Sequence, residues 1–153
     1  MLETPHVAAG ALIATKIPNP FIAIPLAFAS HFVMDILPHW NPHLNKEMEE
    51  NGYPTKKSTV IVTTDAIIAL GIGTFFAFKA TPNYGHSATI LLACLASVLP
   101  DVVEAPYFFL KTKGETMKKW ISLHKSFQKD ATPFWGLLTQ AVTVIASTLL
   151  IFK

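Results

Sequence analysis

The chain has 153 residues, of which 51% are hydrophobic and only 14% charged, with a formal net charge of +2. A soluble domain carries about 25% charged residues, so these numbers exclude an ordinary water-soluble globule, and the apolar content excludes a disordered chain. All twelve basic residues are lysines; without guanidinium forks, and without lysines interleaved with aromatics, nucleic acid is excluded as a partner.

In chain order, the first apolar run is residues 7–15, too short for a bilayer core that takes about 20 residues at about 1.5 Å each. The Ile-Pro-Asn-Pro break after Lys16 makes it a half-helix that turns back within or beside the bundle. Residues 17–37 are apolar but contain Pro18, Pro20 and Pro25; a helix is expected from Pro20 or Pro25 to Pro38. Residues 58–78, 86–110 and 133–152 are each long enough to span. Between the last two, Met117, Trp120, Ile121, His124 and Gln128 recur at steps of three and four. Lys118, Lys119, Lys125 and Lys129 fall largely elsewhere, which describes an amphipathic helix lying at the membrane interface.

The fold class that follows is all-α. It is an integral-membrane helical bundle in one domain over residues 1–153, with about four spanning helices, a short N-terminal half-helix and an amphipathic interfacial helix. Cys94 is the single cysteine, so neither a disulfide framework nor a cysteine-rich zinc site is in view. Six lysines fall in residues 111–131 and three in residues 39–57, against one in residues 79–85. Lysine-rich short loops stay cytoplasmic, which puts these two loops inside.

Ionisable side chains inside apolar spans cost at least about 2.5 kcal/mol at a helix centre and mark a site or a pair. His31 and Asp35 stand four apart on one helix face,, and His39 follows Pro38. Asp65 lies about 10 Å inside its span and Asp101 about 14 Å from the end of the next. With His6 opening the half-helix and His124 on the apolar face of the interfacial helix, ligand-type residues from five segments meet at one depth, on the cytoplasmic side. Imidazole and carboxylate together suit zinc, with manganese or iron as alternatives. Three aspartates and a hydroxide balance two divalent ions. Simpler readings stand beside this one: Asp65 as the N-cap of a helix starting at Ala66, Asp101 in the first turn of a helix restarted after Pro100, His31 with Asp35 as a buried hydrogen-bonded pair, His6 as a helix-start residue and His124 as an interfacial anchor.

The ordered set Thr4-Pro5-His6-x-x-x-Gly10, His31-x-x-x-Asp35-x-x-Pro38-His39, Leu99-Pro100-Asp101 and a late His124 resembles the bacterial and archaeal integral-membrane proteins classed as membrane-bound, metal-dependent hydrolases. That group is more remotely similar to zinc-dependent phospholipase C. The resemblance implies a helical bundle in a bacterial or archaeal inner membrane, binding divalent metal through His6, His31, Asp35 and Asp101. The chain departs from the group's pattern near its end: relatives follow the late His-Arg with Thr-His-Ser, whereas here the residues are His124-Lys125-Ser126-Phe127-Gln128.

The leading expectation is therefore a metal-dependent hydrolase acting on a lipid or lipid-linked phosphoester. Its metal ligands are His6, His31, Asp35, Asp65, Asp101 and His124. His39 or Glu104 serves as general acid or base, and Lys118, Lys119 and Lys125 hold an anionic head group. Membrane lipid is the partner, and an oligomer is compatible with this reading. The alternatives are a metal-handling or transport protein using the same intramembrane groups, a haem-binding bundle with axial histidines, and a non-catalytic structural membrane protein.

Overall fold

The structure, a computed structural model, describes residues 1–110, 112 and 114–153. The regular structure among them is helical: α1 (Glu3–Lys16), α2 (Pro20–Asp35), α3 (Leu44–Asn51), α4 (Lys56–Lys79), α5 (Tyr84–Phe109), α6 (Glu115–Lys125) and α7 (Pro133–Phe152). The helical bundle expected from the sequence forms. Three helices, α4, α5 and α7, are long and apolar enough to cross a membrane. At 16 residues, α2 is about 24 Å long and shorter than these three.

Helix α2 starts at Pro20, where proline suits the first helical position and the Asn19 side chain accepts the Phe21 N–H at 3.0 Å. It ends at Asp35 rather than at Pro38. The Leu37 N–H turns back to the Met34 carbonyl, and Pro38 disfavours helical backbone at the residue before it. Helix α3 was not expected. It is short and charged, and it stops where Gly52 takes φ +75°, a left-handed conformation that glycine adopts without a Cβ penalty. Its Glu47 accepts the Thr55 N–H at 2.6 Å and the Ser58 hydroxyl at 2.6 Å, fastening α3 to the start of α4.

The distribution of side chains is inverted relative to a soluble protein. The buried apolar core is dominated by alanines, including Ala8, Ala11, Ala14, Ala23, Ala27 and Ala93. Helix α7 buries only Gly136, Gln140 and Ser147, while Phe134, Trp135, Val142, Ile145, Leu149 and Phe152 face outward. A soluble monomer rarely exposes contiguous apolar area beyond a few hundred Å². In lipid this arrangement is the stable one, because small residues let helices approach and bulky ones meet hydrocarbon.

Helix α1 is the hub, packed against α2, α4, α5 and α7. Its composition permits this: a Cβ at Gly10 would lie 2.8 Å from Ser97 Oγ and 2.9 Å from the Ala93 carbonyl oxygen. An enclosed helix start must find partners for its free N–H groups. Here the Leu2 N–H donates to Gln140 Oε1 at 2.8 Å, and those of Glu3 and Thr4 donate to Asp65 Oδ2 at 2.5 and 3.3 Å. Side chains of α7 and α4 thus cap α1 from outside it.

Candidate metal centre

The N-terminus of α1, the C-terminal end of α2, the first half of α4, the second half of α5 and the apolar face of α6 meet at one end of the bundle. At their junction Asp35 is fully buried, and four imidazole Nε2 atoms surround its carboxylate: His124 at 3.1 Å, His6 at 3.4 Å, His31 at 3.6 Å and His39 at 3.8 Å. All four rings are buried. The backbone amino group of Met1 also contacts Asp35.

Three of these rings are held from behind. His31 Nδ1 donates to the Ser97 carbonyl at 2.7 Å, His39 Nδ1 to the Leu37 carbonyl at 2.8 Å, and His124 Nδ1 to Glu104 Oε1 at 2.8 Å. In His31 and His39 donation through Nδ1 leaves the Nε2 lone pair as the coordinating site, the common orientation of metal-bound histidines, and in His124 the same holds once its Nε2 proton is lost. The Ser97 carbonyl stands next to that of Ala96, whose usual helical donor is replaced by Pro100. Among the described residues, the fourth ring, His6, has no hydrogen-bond partner at either nitrogen, and His39 Nε2 has none either. Fully buried nitrogens without partners are costly unless something else binds them.

Asp101 extends the centre. Its carboxylate is 3.8 Å from His31 Nε2 and 3.7 Å from His124 Nδ1, and at 20% exposure it is the most open of these side chains. Three groups of potential ligand atoms result, each within 4.8 Å: His6 with His31 and Asp101; His31 with Asp35 and His124; Asp101 with Glu104 and His124. These buried His/Asp/Glu groups can hold a metal ion, and because they share members they form one continuous centre. The donors are nitrogen and oxygen only, as zinc, manganese and iron accept.

His124 lies on the interfacial helix, outside the spanning segments. Burial works against its charge, but the hydrogen bonds to Asp35 and Glu104 and the negative charge of Asp101 outweigh this and raise its pKa to about 10. The charged form of this ring is thus favoured near neutral pH, with Nδ1 toward Glu104 and Nε2 toward Asp35 Oδ2 at 3.1 Å.

Not every residue anticipated for the site joins it. Asp65 belongs to none of the three ligand groups; it caps α1. The readings of Asp65 and Asp101 as caps of their own helices are overturned, since α4 begins at Lys56 and α5 runs unbroken from Tyr84. His39 likewise belongs to none of the three groups; its Nδ1 is tied to the Leu37 carbonyl and its Nε2 lies 3.8 Å from Asp35. Glu104 has one oxygen on His124 and lines the adjoining cavity. Lys118, Lys119 and Lys125 are exposed on α6, with Lys118 paired to Glu115 at 2.9 Å. Glu3 was missed: its Oε2 is buried without a partner among the described residues, and the side chain lines the same cavity as Asp65 and Asp101. Its only sequence signal was a carboxylate three residues ahead of His6. Compared with protein-family models, curated proteins and solved structures, the chain matches none.

Proposed function

We propose that this protein is a membrane-embedded, metal-dependent hydrolase of a lipid or lipid-linked phosphoester. The observation that carries the reading is the ring of four buried Nε2 atoms around Asp35, three of them oriented by acceptors at Nδ1 and a fourth left without any partner. His6, His31, Asp35 and His124 are the core ligands in this reading, His39 adds a fourth imidazole, and Asp101 faces the substrate side. Zinc suits this set best; the overlap of the three groups leaves room for two ions. A divalent ion supplies Lewis acidity toward a phosphoryl oxygen and a water that is nucleophilic at neutral pH.

The chain's own residues do the rest. Glu104 holds His124 in register and, from the cavity wall, is placed to accept or return a proton. Lys125 lines the mouth of the same cavity and attracts an anionic head group. The fourth crossing is α2 extended by the exposed Ile36 and Leu37. The lysine excess of the two loops beside the centre supports a cytoplasmic-side site, and the family resemblance supports a bacterial or archaeal inner membrane, with the centre close enough to the interface for lipid to enter laterally. The resemblance of the His6, His31–Asp35, Pro100–Asp101 and His124 motifs to membrane-bound metal-dependent hydrolases supports the same reading.

The test is turnover in proteoliposomes. Metal-loaded protein should cleave a lipid phosphate monoester or diester, and should lose activity on chelation and in Asp101→Asn. Metal-loaded protein that cleaves no lipid phosphate would contradict the proposal.

A further inference from the structure

Between α4 and α5 runs a trough of about 780 Å³, within the roughly 300–1,000 Å³ typical of small-molecule sites. Its floor is buried and apolar, made by Val7 of α1, Ala69 and Gly73 of α4, and Cys94 and Val98 of α5. Its lips, Leu70, Leu91, Leu95 and Val102, are exposed. They belong to two helices that are long and apolar enough to cross a membrane, so the trough opens sideways into hydrocarbon.

The two ends differ in chemistry. Among the described residues lining the trough, none around Gly73, Thr74 and Leu91 is charged; the charged ones, Glu3, Asp65, Asp101, Glu104, Asp130, Lys46 and Lys125, belong to the other end. From Asp65 to Thr74 the helical rise is about 14 Å, and from Leu91 to Asp101 about 15 Å. An apolar channel of this length, open along its side to lipid and ending at a cluster of ligand-type residues, matches an amphiphile with one extended tail. A water-soluble substrate would leave the apolar end unfilled.

We infer that this trough seats one hydrocarbon tail of the lipid substrate, with its head group at Asp101, and that Gly73 and Thr74 set the tail length accepted. The inference rests on reading the centre as a lipid phosphoester site. A phosphate beside this cluster of acidic side chains needs a divalent cation to hold it, so head-group binding requires metal whereas tail seating does not.

The full chain in phosphatidylcholine liposomes is photolabelled with two probes carrying a diazirine at the tail tip, dodecyl phosphate and dodecanol, with and without zinc. Dodecyl phosphate should label positions 70–74 and 91–95 only when zinc is present; dodecanol should label them in both conditions. Gly73→Leu should reduce labelling there by roughly tenfold, the loss expected when two or so methylenes leave apolar contact, while sparing an octyl phosphate probe. Thr74→Trp alters an exposed position at the same end and should act alike; wild-type metal content shows that either variant is folded. Labelling scattered over outward residues such as Phe21 and Leu149, or unchanged in Thr74→Trp, would overturn the inference. Dodecanol in the trough with no zinc-dependent dodecyl phosphate would keep the tail site and remove the phosphoester reading.

Discussion

Asp35 is the residue on which the centre turns. In water a lone carboxylate needs no such company; buried, it must be compensated, and removing one partner of a buried charged cluster costs about 3–5 kcal/mol. Asp35→Asn keeps the shape and removes the charge that four Nε2 atoms share, and should abolish stoichiometric divalent metal. Glu104→Gln keeps an acceptor on His124 Nδ1 but weakens it. Its expected effect is the roughly 10–100-fold loss of metal affinity typical of a supporting residue, measured by competition with a chromogenic chelator. Equal affinities in the wild type and Glu104→Gln would mean that the 2.8 Å contact does not orient the ring. At this scale the sequence was informative where spacing is local: His31 and Asp35 share a helix face whatever the fold does. It was less so where partners come from elsewhere. Asp65 looked like a ligand because its carboxylate sits inside a span, yet its oxygen is engaged by the N–H groups of a helix more than sixty residues earlier in the chain,.

At the scale of elements, the centre depends on close backbone approaches that only small residues allow. The segment carrying His39 is pinned from two sides. It forms a short parallel bridge with Asp130, and its Trp40 carbonyl accepts from Gln140 Nε2 at 2.7 Å. It lies so near α7 that a Cβ at Gly136 would come within 2.3 Å of Trp40 N. Gly136→Ala must displace the backbone next to His39. It should lower thermal stability by about 1–3 kcal/mol, the usual cost of overpacking, and weaken metal binding with it. Gly71→Ala, at an exposed helical site with nothing within 4 Å, should be neutral or stabilising by up to about 1 kcal/mol. Thermal unfolding in detergent compares the two; similar behaviour of both would argue against the pinned segment. The long apolar runs made α4, α5 and α7 legible in advance, the ends of α4 and α5 differing by one or two residues and those of α7 by none,. Helix α3 was not, because a short charged helix shows neither apolar length nor a strong period. The enclosure of α1 was legible only as an Ala- and Gly-rich half-helix; which neighbours surround it depends on tertiary packing.

For the whole molecule, the inverted distribution of side chains sets the solvent, and the solvent sets the electrostatics. Carboxyl groups gathered at one end of an apolar bundle must be compensated, by hydrogen-bond donors, by protons or by cations. The proton on His124 is one such cation. Because the pKa of that ring is raised to about 10, metal binding at its Nε2 near neutral pH must expel a proton, so affinity should rise with pH up to that value and fall on acidification. Calorimetric zinc titrations at pH 7 in buffers of different ionisation enthalpy should report release of about one proton or more per bound ion. No buffer dependence would place His124 outside the ligand set.

The imidazoles and carboxylates around Asp35 are expected to bind a divalent metal. Elemental analysis of detergent-purified protein, beside Asp35→Asn and the Asp35→Ala/Asp101→Ala double variant, tests it most directly. Wild-type protein should carry about one to two divalent ions per chain, the number that the shared ligand groups and their charge can support, and the variants none. Wild-type protein free of divalent metal after exposure to zinc, or variants that retain the full complement, would contradict it.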